Sequence, residues 1–308
     1  MTLRVVFMGT PDFAVPTLAA LHSRFNLVGV VTQPDRPQGR GRKTLPSPVK
    51  AAALRLGVPV EQPERVRTTE AVDTLGQWAP DVVVVAAYGE ILPRSVLDLP
   101  PMGCVNLHAS LLPRHRGASP ISAAILAGDE TTGVCTILMD EGMDTGDLLL
   151  TREIRILPGD TTGSLHDRML EPGADLVVRT LTMRETEGIR PVKQDDSQAT
   201  YTRPLTKEDG RIDWSAPAEH LDRLVRAMNP WPVAFTALGG DMIKIWQVSV
   251  EPGQAPQGTM TAIRPDGILV GTGEGLLLVQ EVQAPGKKRV SATDFARGRR
   301  LTKGNRFG

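Results

Sequence analysis

The stretch from Gly103 to Pro120, GCVNLHASLLPRHRGASP, holds Asn106 and His108 two residues apart. In an extended strand successive side chains alternate faces, so these two point one way and Leu107 the other. An amide beside an imidazole suits acyl transfer. The amide donates to a developing oxyanion, and the imidazole handles the proton of an attacking amine. Taken alone, such a pair is more often a strand-end amide and a satisfied buried histidine, and spacing does not separate the two readings.

A second group of polar side chains lies in 139–147, MDEGMDTGD, with Asp140, Glu141, Asp144 and Asp147 in a glycine-punctuated loop. A carboxylate from this loop beside His108 would fix its tautomer and favour its protonated form. Four acids could instead hold Mg²⁺ or Ca²⁺, although the spacing departs from the EF-hand pattern, or could form a solvated turn. The stretch 33–50, QPDRPQGRGRKTLPSPVK, sets Arg36, Arg40, Arg42, Lys43 and Lys50 against the single acid Asp35. Its glycines and prolines predict an irregular loop, suited either to ordering on phosphates or to remaining solvated. The end of the chain from 284 carries eight basic residues, among them Lys287 and Lys288, and one acid, Asp294. Such local charge is an electrostatic footprint for nucleic acid, or a generic basic tail.

These groups need a frame to position them. Valine-rich runs at 3–8, 27–32, 81–87 and 104–109 alternate with helical patterns near 12–23, 48–56, 68–78 and 119–127. That βαβ alternation predicts a doubly wound, mostly parallel Rossmann-like α/β sheet, with its site beyond the carboxyl ends of the strands. The runs 133–139 and 148–156 extend the sheet as an antiparallel edge, and a helix over 163–187 closes it. Residues 189–204 are polar and aperiodic, with Pro191 and Pro204, and read as a linker. Beyond them a helix near 217–228 precedes short strands at 233–237, 242–250, 258–263, 268–271 and 276–284, separated by glycine turns. This texture predicts a smaller OB-like β-barrel. The expected division is a catalytic domain over 1–188, a linker over 189–204 and a barrel over 205–308.

Bulk properties narrow the function. The 308 residues are 41% hydrophobic and 23% charged, and the 35 Lys+Arg balance the 35 Asp+Glu. No run is long and apolar enough to predict a membrane span, and the start of the chain reads as a strand, so a cytoplasmic protein is expected. Cys104 and Cys135 sit in apolar surroundings without metal-ligand spacing, so no metal is expected. After the first strand the text is GTPDFA rather than GxGxxG, and no GxxxxGK[ST] loop occurs. Both absences disfavour a nicotinamide enzyme and a nucleotide hydrolase.

With those residues in view, the chain resembles the folate-dependent formyltransferases over essentially its whole length. The resemblance runs through VVFMGTPDFAVP, VVAAYGEILP, NLHASLLPRHRGASPI and MDEGMDTGDLL. The TQPDRPQGRGRK loop, RIDWS, NPWP and PGKK resemble the branch that acts on methionyl-tRNA. The resemblance implies transfer of a formyl group from 10-formyltetrahydrofolate to the α-amino group of methionyl-initiator tRNA; a monomer is expected. It assigns Asn106, His108 and Asp144 to catalysis, and Ser110, Leu111, Leu112, Pro113, Tyr88, Ile91, Leu92 and Asp140 to the folate. It assigns Arg36, Arg40, Arg42, Lys43, Lys287 and Lys288 to the tRNA. Two positions depart from the family pattern. His115 stands where an aromatic residue is usual, and Pro172 falls inside the expected last helix, which it should break or kink.

Overall fold

The computed structural model describes residues 2–38, 43–186 and 188–308. Two compact units emerge. The first comprises Met1–Pro120, Thr131–Arg155 and His166–Thr202; the second comprises Ile121–Glu130, Ile156–Leu165 and Arg203–Gly308.

The first unit is built on seven strands: β1 (Arg4–Gly9), β2 (Asn26–Val31), β3 (Val60–Glu61), β4 (Val82–Ala86), β5 (Cys104–His108), β6 (Thr131–Leu138) and β7 (Asp147–Arg155). Their spatial order is β7-β6-β5-β4-β1-β2-β3. The five strands from β3 to β5 are parallel, while β6 and β7 are antiparallel. β4 is VVVVA and buried throughout, as is β5. Branched apolar side chains on both faces are what a parallel sheet covered on both sides requires. This is the doubly wound order expected, with the short β3 added.

The helices are α1 (Val15–Arg24), α2 (Pro48–Arg55), α3 (Thr69–Gln77), the one-turn α4 (Arg94–Leu97), α5 (Pro120–Ala127), α6 (Thr162–Thr186), α7 (Ala218–Ala227) and α8 (Ala292–Arg299). Local chemistry sets where several begin. The Ser47 hydroxyl accepts from Lys50 N at 3.0 Å with Pro48 at the first turn, and the Thr68 hydroxyl accepts from Ala71 N at 3.3 Å.

The expected break at Pro172 does not occur, and α6 runs continuously through it. An internal proline costs a helix about 3 kcal/mol. Met169, Leu176, Val177 and Leu181 of the same helix are buried, each contributing about 1.5–3 kcal/mol, so packing outweighs the lost hydrogen bond.

Two further expectations change. The basic segment after β2 is not wholly irregular: Arg36–Gln38 and Lys43–Leu45 pair as an antiparallel ribbon. Of the polar segment 189–204, expected as a linker, residues up to Thr202 belong to the first unit. Val192 exchanges backbone hydrogen bonds with Leu148 at 2.8 and 2.9 Å, and Tyr201–Thr202 pairs in parallel with Arg116–Gly117. Polar sequence gave no periodicity because its partners are distant backbone groups and not a core.

In the second unit β8 (Ala234–Leu238), β9 (Asp241–Glu251), β10 (Met260–Arg264), β11 (Gly267–Gly271) and β12 (Leu276–Gln283) form an antiparallel sheet ordered β8-β9-β12-β11-β10. Residues 304–308 bridge its outer strands. Met260 N donates to Asn305 O at 2.8 Å, and Gly308 N donates to Ala237 O at 3.1 Å. Phe307 is buried and stacked on Trp214, with ring centroids 5.6 Å apart. The basic end is therefore structured. It includes α8, which sequence reading missed, although Ser291 three residues before Asp294 is its capping signal.

Candidate active site

Strand β5 brings Asn106 and His108 to the carboxyl end of the sheet on one face, both nearly buried at 8% and 6% exposure. The loop after β6 delivers Asp144 to the same place. Asn106 Nδ2 donates to Asp144 Oδ1 at 3.3 Å, and His108 Nδ1 lies 3.5 Å from Asp144 Oδ2. The latter separation is longer than a formed hydrogen bond. Gly117 N donates to the same Oδ2 at 2.8 Å. The other ring nitrogen, His108 Nε2, is 3.0 Å from His115 O. A carbonyl oxygen only accepts, so Nε2 carries a hydrogen and Nδ1 faces the carboxylate.

Asp144 reaches this position through strained backbone, with φ of 55° in the left-handed region. Such a conformation costs a non-glycine residue about 1 kcal/mol, though aspartate tolerates it better than most. Two neighbours make the turn possible. Asp140 Oδ1 accepts from Gly142 N at 3.0 Å and from the Thr145 hydroxyl at 2.6 Å. Gly146 passes so close to β6 that a Cβ there would stand 2.0 Å from Leu138 O. Asp140 Oδ1 thus shapes the loop.

The residues expected at the folate fall into distinct settings. Tyr88 and Leu92 are buried in one apolar cluster, and Met139 packs against that cluster. Burial raises the Tyr88 phenol above its ordinary range, and its hydroxyl has no hydrogen-bond partner among the described residues. Ile91 is exposed. Ser110 is buried and its hydroxyl donates to Arg114 O at 2.7 Å, closing the turn through Leu111, Leu112 and Pro113. Leu112 packs with Cys135 and Ile137, while Leu111 lies over Gly133. The unpartnered buried hydroxyl of Tyr88 is chemically suited to a hydrogen-bonding ring such as a pterin.

Of the basic positions, Arg36 is exposed at the start of its ribbon. Lys43 opens the second strand of that ribbon, and Arg40 and Arg42 lie outside the described residues. Lys50 is not a free charge: its ammonium sits 2.5 Å from Asp35, whose carboxyl is held below its ordinary range by that bond and one from Gln62. Lys287 and Lys288 are exposed in the second unit.

Two residues that the sequence reading passed over complete the site. Arg116 is 1% exposed and Gln194 is half-buried in the polar 189–202 segment. Gln194 Nε2 donates to Asp144 O at 2.8 Å and to Gly146 O at 2.7 Å, while its Oε1 accepts from Arg116 Nε and Nη2. Nothing in the spacing of either residue signals this. His115, the departure from the family pattern, is buried; its carbonyl meets His108 and its N–H donates to the Thr200 hydroxyl.

Comparison with known proteins decides the affiliation. Residues 3–181 match the formyl transferase family and residues 204–300 match the formyl transferase C-terminal domain. The chain belongs to the formyl transferase family. It is 47% identical over 307 residues to a methionyl-tRNA formyltransferase of Geotalea daltonii, covering 99% of this chain and 98% of that protein. It is 48% identical over 308 residues to one of Chromobacterium violaceum, covering 99% of this chain and 100% of that protein. Among solved structures, an N-formyltransferase from Helicobacter canadensis with folinic acid and dTDP-3-aminofucose aligns with a TM-score of 0.68. That alignment is 17% identical and covers 92% of this chain and 99% of the other, which shows a shared fold. Among the described residues of this formyl transferase, no helix is long and apolar enough to cross a membrane.

Proposed function

We propose that this formyl transferase moves the formyl group of 10-formyltetrahydrofolate to the α-amino group of methionyl-initiator tRNA, with Asn106, His108 and Asp144 as its reacting set. The observation that carries the reading is the convergence of those three side chains at the carboxyl end of β5. Full-length relatives that bear the name methionyl-tRNA formyltransferase support the choice of acceptor. The chemistry is assigned to residues 1–188. Contact with tRNA is assigned to Arg36, Arg40, Arg42 and Lys43 and, in the 205–308 portion, to Lys287 and Lys288. The chain is read as acting as a monomer.

The folate supplies an activated formyl group, and Tyr88, Leu92 and the 110–113 turn are the residues that would hold it. Asn106 has two amide hydrogens; the bond to Asp144 uses one and leaves the other for oxyanion charge as the amine attacks. The amine must lose a proton as its new C–N bond forms, and the departing carrier nitrogen must gain one. His108 Nδ1 can take that proton, with the Asp144 carboxylate facing the ring to stabilise the resulting charge before the proton is passed on. The neutral amine is nucleophilic enough that no covalent enzyme intermediate is required.

The test is formylation by the purified protein of methionyl-initiator tRNA, with methionyl-elongator tRNA and glycinamide ribonucleotide as competing acceptors. Selective formylation of the initiator species is expected. Transfer to the small amine alone would overturn the acceptor. Sedimentation of the same preparation checks the monomer.

A further inference from the structure

We infer that Gln194, oriented by Arg116, is a positioning residue that holds the Asp144 loop in its reactive conformation. The inference rests on the reading of Asp144 as part of the reacting set. Four contacts converge on one amide. Asp144 O and Gly146 O can only accept, and Arg116 Nε and Nη2 can only donate. A single orientation of the Gln194 amide satisfies all of them, so its donor end must face the loop.

The place of those contacts gives them their effect. The two carbonyls flank Thr145 on either side and belong to the strained turn in which Asp144 has a φ of 55°. Gly117 N also holds the Asp144 carboxylate, and Gly117 follows Arg116 directly. Arg116 therefore acts on the aspartate twice, through its own guanidinium by way of Gln194 and through its neighbour's N–H. The guanidinium is fixed in turn by Asp196 Oδ1 at 2.7 Å and by the Tyr201 hydroxyl at 3.1 Å. Burial disfavours the charged guanidinium, but the bonds to Asp196 and Tyr201 outweigh it and raise its pKa.

The rest of the segment serves to present this side chain. Of residues 191–198 only Gln194 is not exposed, and Val192 two residues before it is anchored on Leu148, just beyond the acidic loop. Asp195, its neighbour, bonds only locally with Ser197 and Gln198.

The experiment measures single-turnover formylation with Gln194→Leu, Gln194→Glu, Asp144→Asn and the double variant Gln194→Leu/Asp144→Asn, with Asp195→Ala as a control and thermal melting as a check on folding. Gln194→Leu should slow the chemical step about 10- to 100-fold, the size of loss expected when a reacting group is displaced by about 1 Å, with KM for both substrates little changed. Gln194→Glu keeps the acceptor for Arg116 but loses the donor, and should be as slow. In the double variant Gln194→Leu should cost nothing beyond Asp144→Asn, because it acts through that residue. Wild-type speed in Gln194→Glu, or fully additive losses in the double variant, would overturn the positioning role. A fast Asp144→Asn enzyme would instead remove the reading on which the inference stands, and the two failures are thus distinct. Asp195→Ala should match the wild type; an equal loss there would reduce Gln194 to a general structural effect of the segment.

Discussion

Strand β5 and the segment 190–202 both reach Asp144, by opposite means. β5 is buried along its length between two neighbours, and its side chains meet the aspartate directly through Asn106 and His108. The segment 190–202 is mostly exposed and carries little apolar surface, yet its bonds to Asp144, Gly146, His115 and Arg116 surround the same group. One region supplies reacting atoms on a rigid platform, and the other supplies backbone restraint. A site that asks an aspartate to hold a left-handed turn needs both, because a carboxylate free to relax would leave His108 unpaired.

The contrast can be broken hardest at β5. Asn106→Ala removes the oxyanion donor and the partner of Asp144 Oδ1 together. A loss of about 100- to 1,000-fold in kcat is expected, with melting close to the wild type. Single-turnover kinetics check it, and turnover near the wild type would remove Asn106 from the chemistry. The loss at Gln194 should be smaller, which is the ordering that distinguishes a reacting group from a positioning one.

A second test separates the segment from the site it braces. Gly117 has a φ of 103°, and a Cβ there would stand 2.2 Å from Thr202 O. Gly117→Ala should therefore push the Tyr201–Thr202 pairing away from 116–117 and destabilise the protein by about 1–3 kcal/mol. Denaturant unfolding measures the cost. Formylation should fall as well, because Gly117 N is the bond that holds Asp144 Oδ2.

The smallest effect sharpens the burial side of the comparison. Cys104 opens β5 and Cys135 lies in β6 beside it, and both are buried. Burial, reinforced by Asp98, pushes the Cys104 thiol up to about 12, and burial does the same for Cys135, again to about 12. At mildly alkaline pH almost no thiolate is present, so a thiol reagent should leave both untouched in the folded protein and react with both after unfolding. Rapid labelling of the native chain would show that this part of the sheet opens.

Most of the first unit was legible because its signals are local. A β-branched run such as VVVVA in β4 suits a strand covered on both faces, and the valine-rich runs alternating with helical patterns fall where the strands and helices of the sheet are found. The place of Asn106 and His108 on one face follows from the period of a strand alone. Other features depended on distant partners. Pro172 predicted a break that the buried face of α6 overrides. Lys50 counted as a basic loop residue until Asp35 was found against it. Asp140 was read only as a residue of the folate loop, and the bonds of its Oδ1 to Gly142 and Thr145, which shape that loop, left no mark in the spacing.

By itself, then, the sequence determined the doubly wound sheet and a second unit of short strands, because periodicity is a property of neighbouring residues, while the set Asn106, His108 and Asp144 was implied by the resemblance to the formyltransferases. Only the tertiary structure decided how Asp144 is held. Gln194 is 50 positions from Asp144 and 78 from Arg116, and a glutamine in a polar stretch has the same composition whether it faces water or two carbonyls. Hydrogen bonds between backbone groups and remote polar side chains leave no period behind, so the segment that restrains the site had the appearance of a linker until its partners were in place.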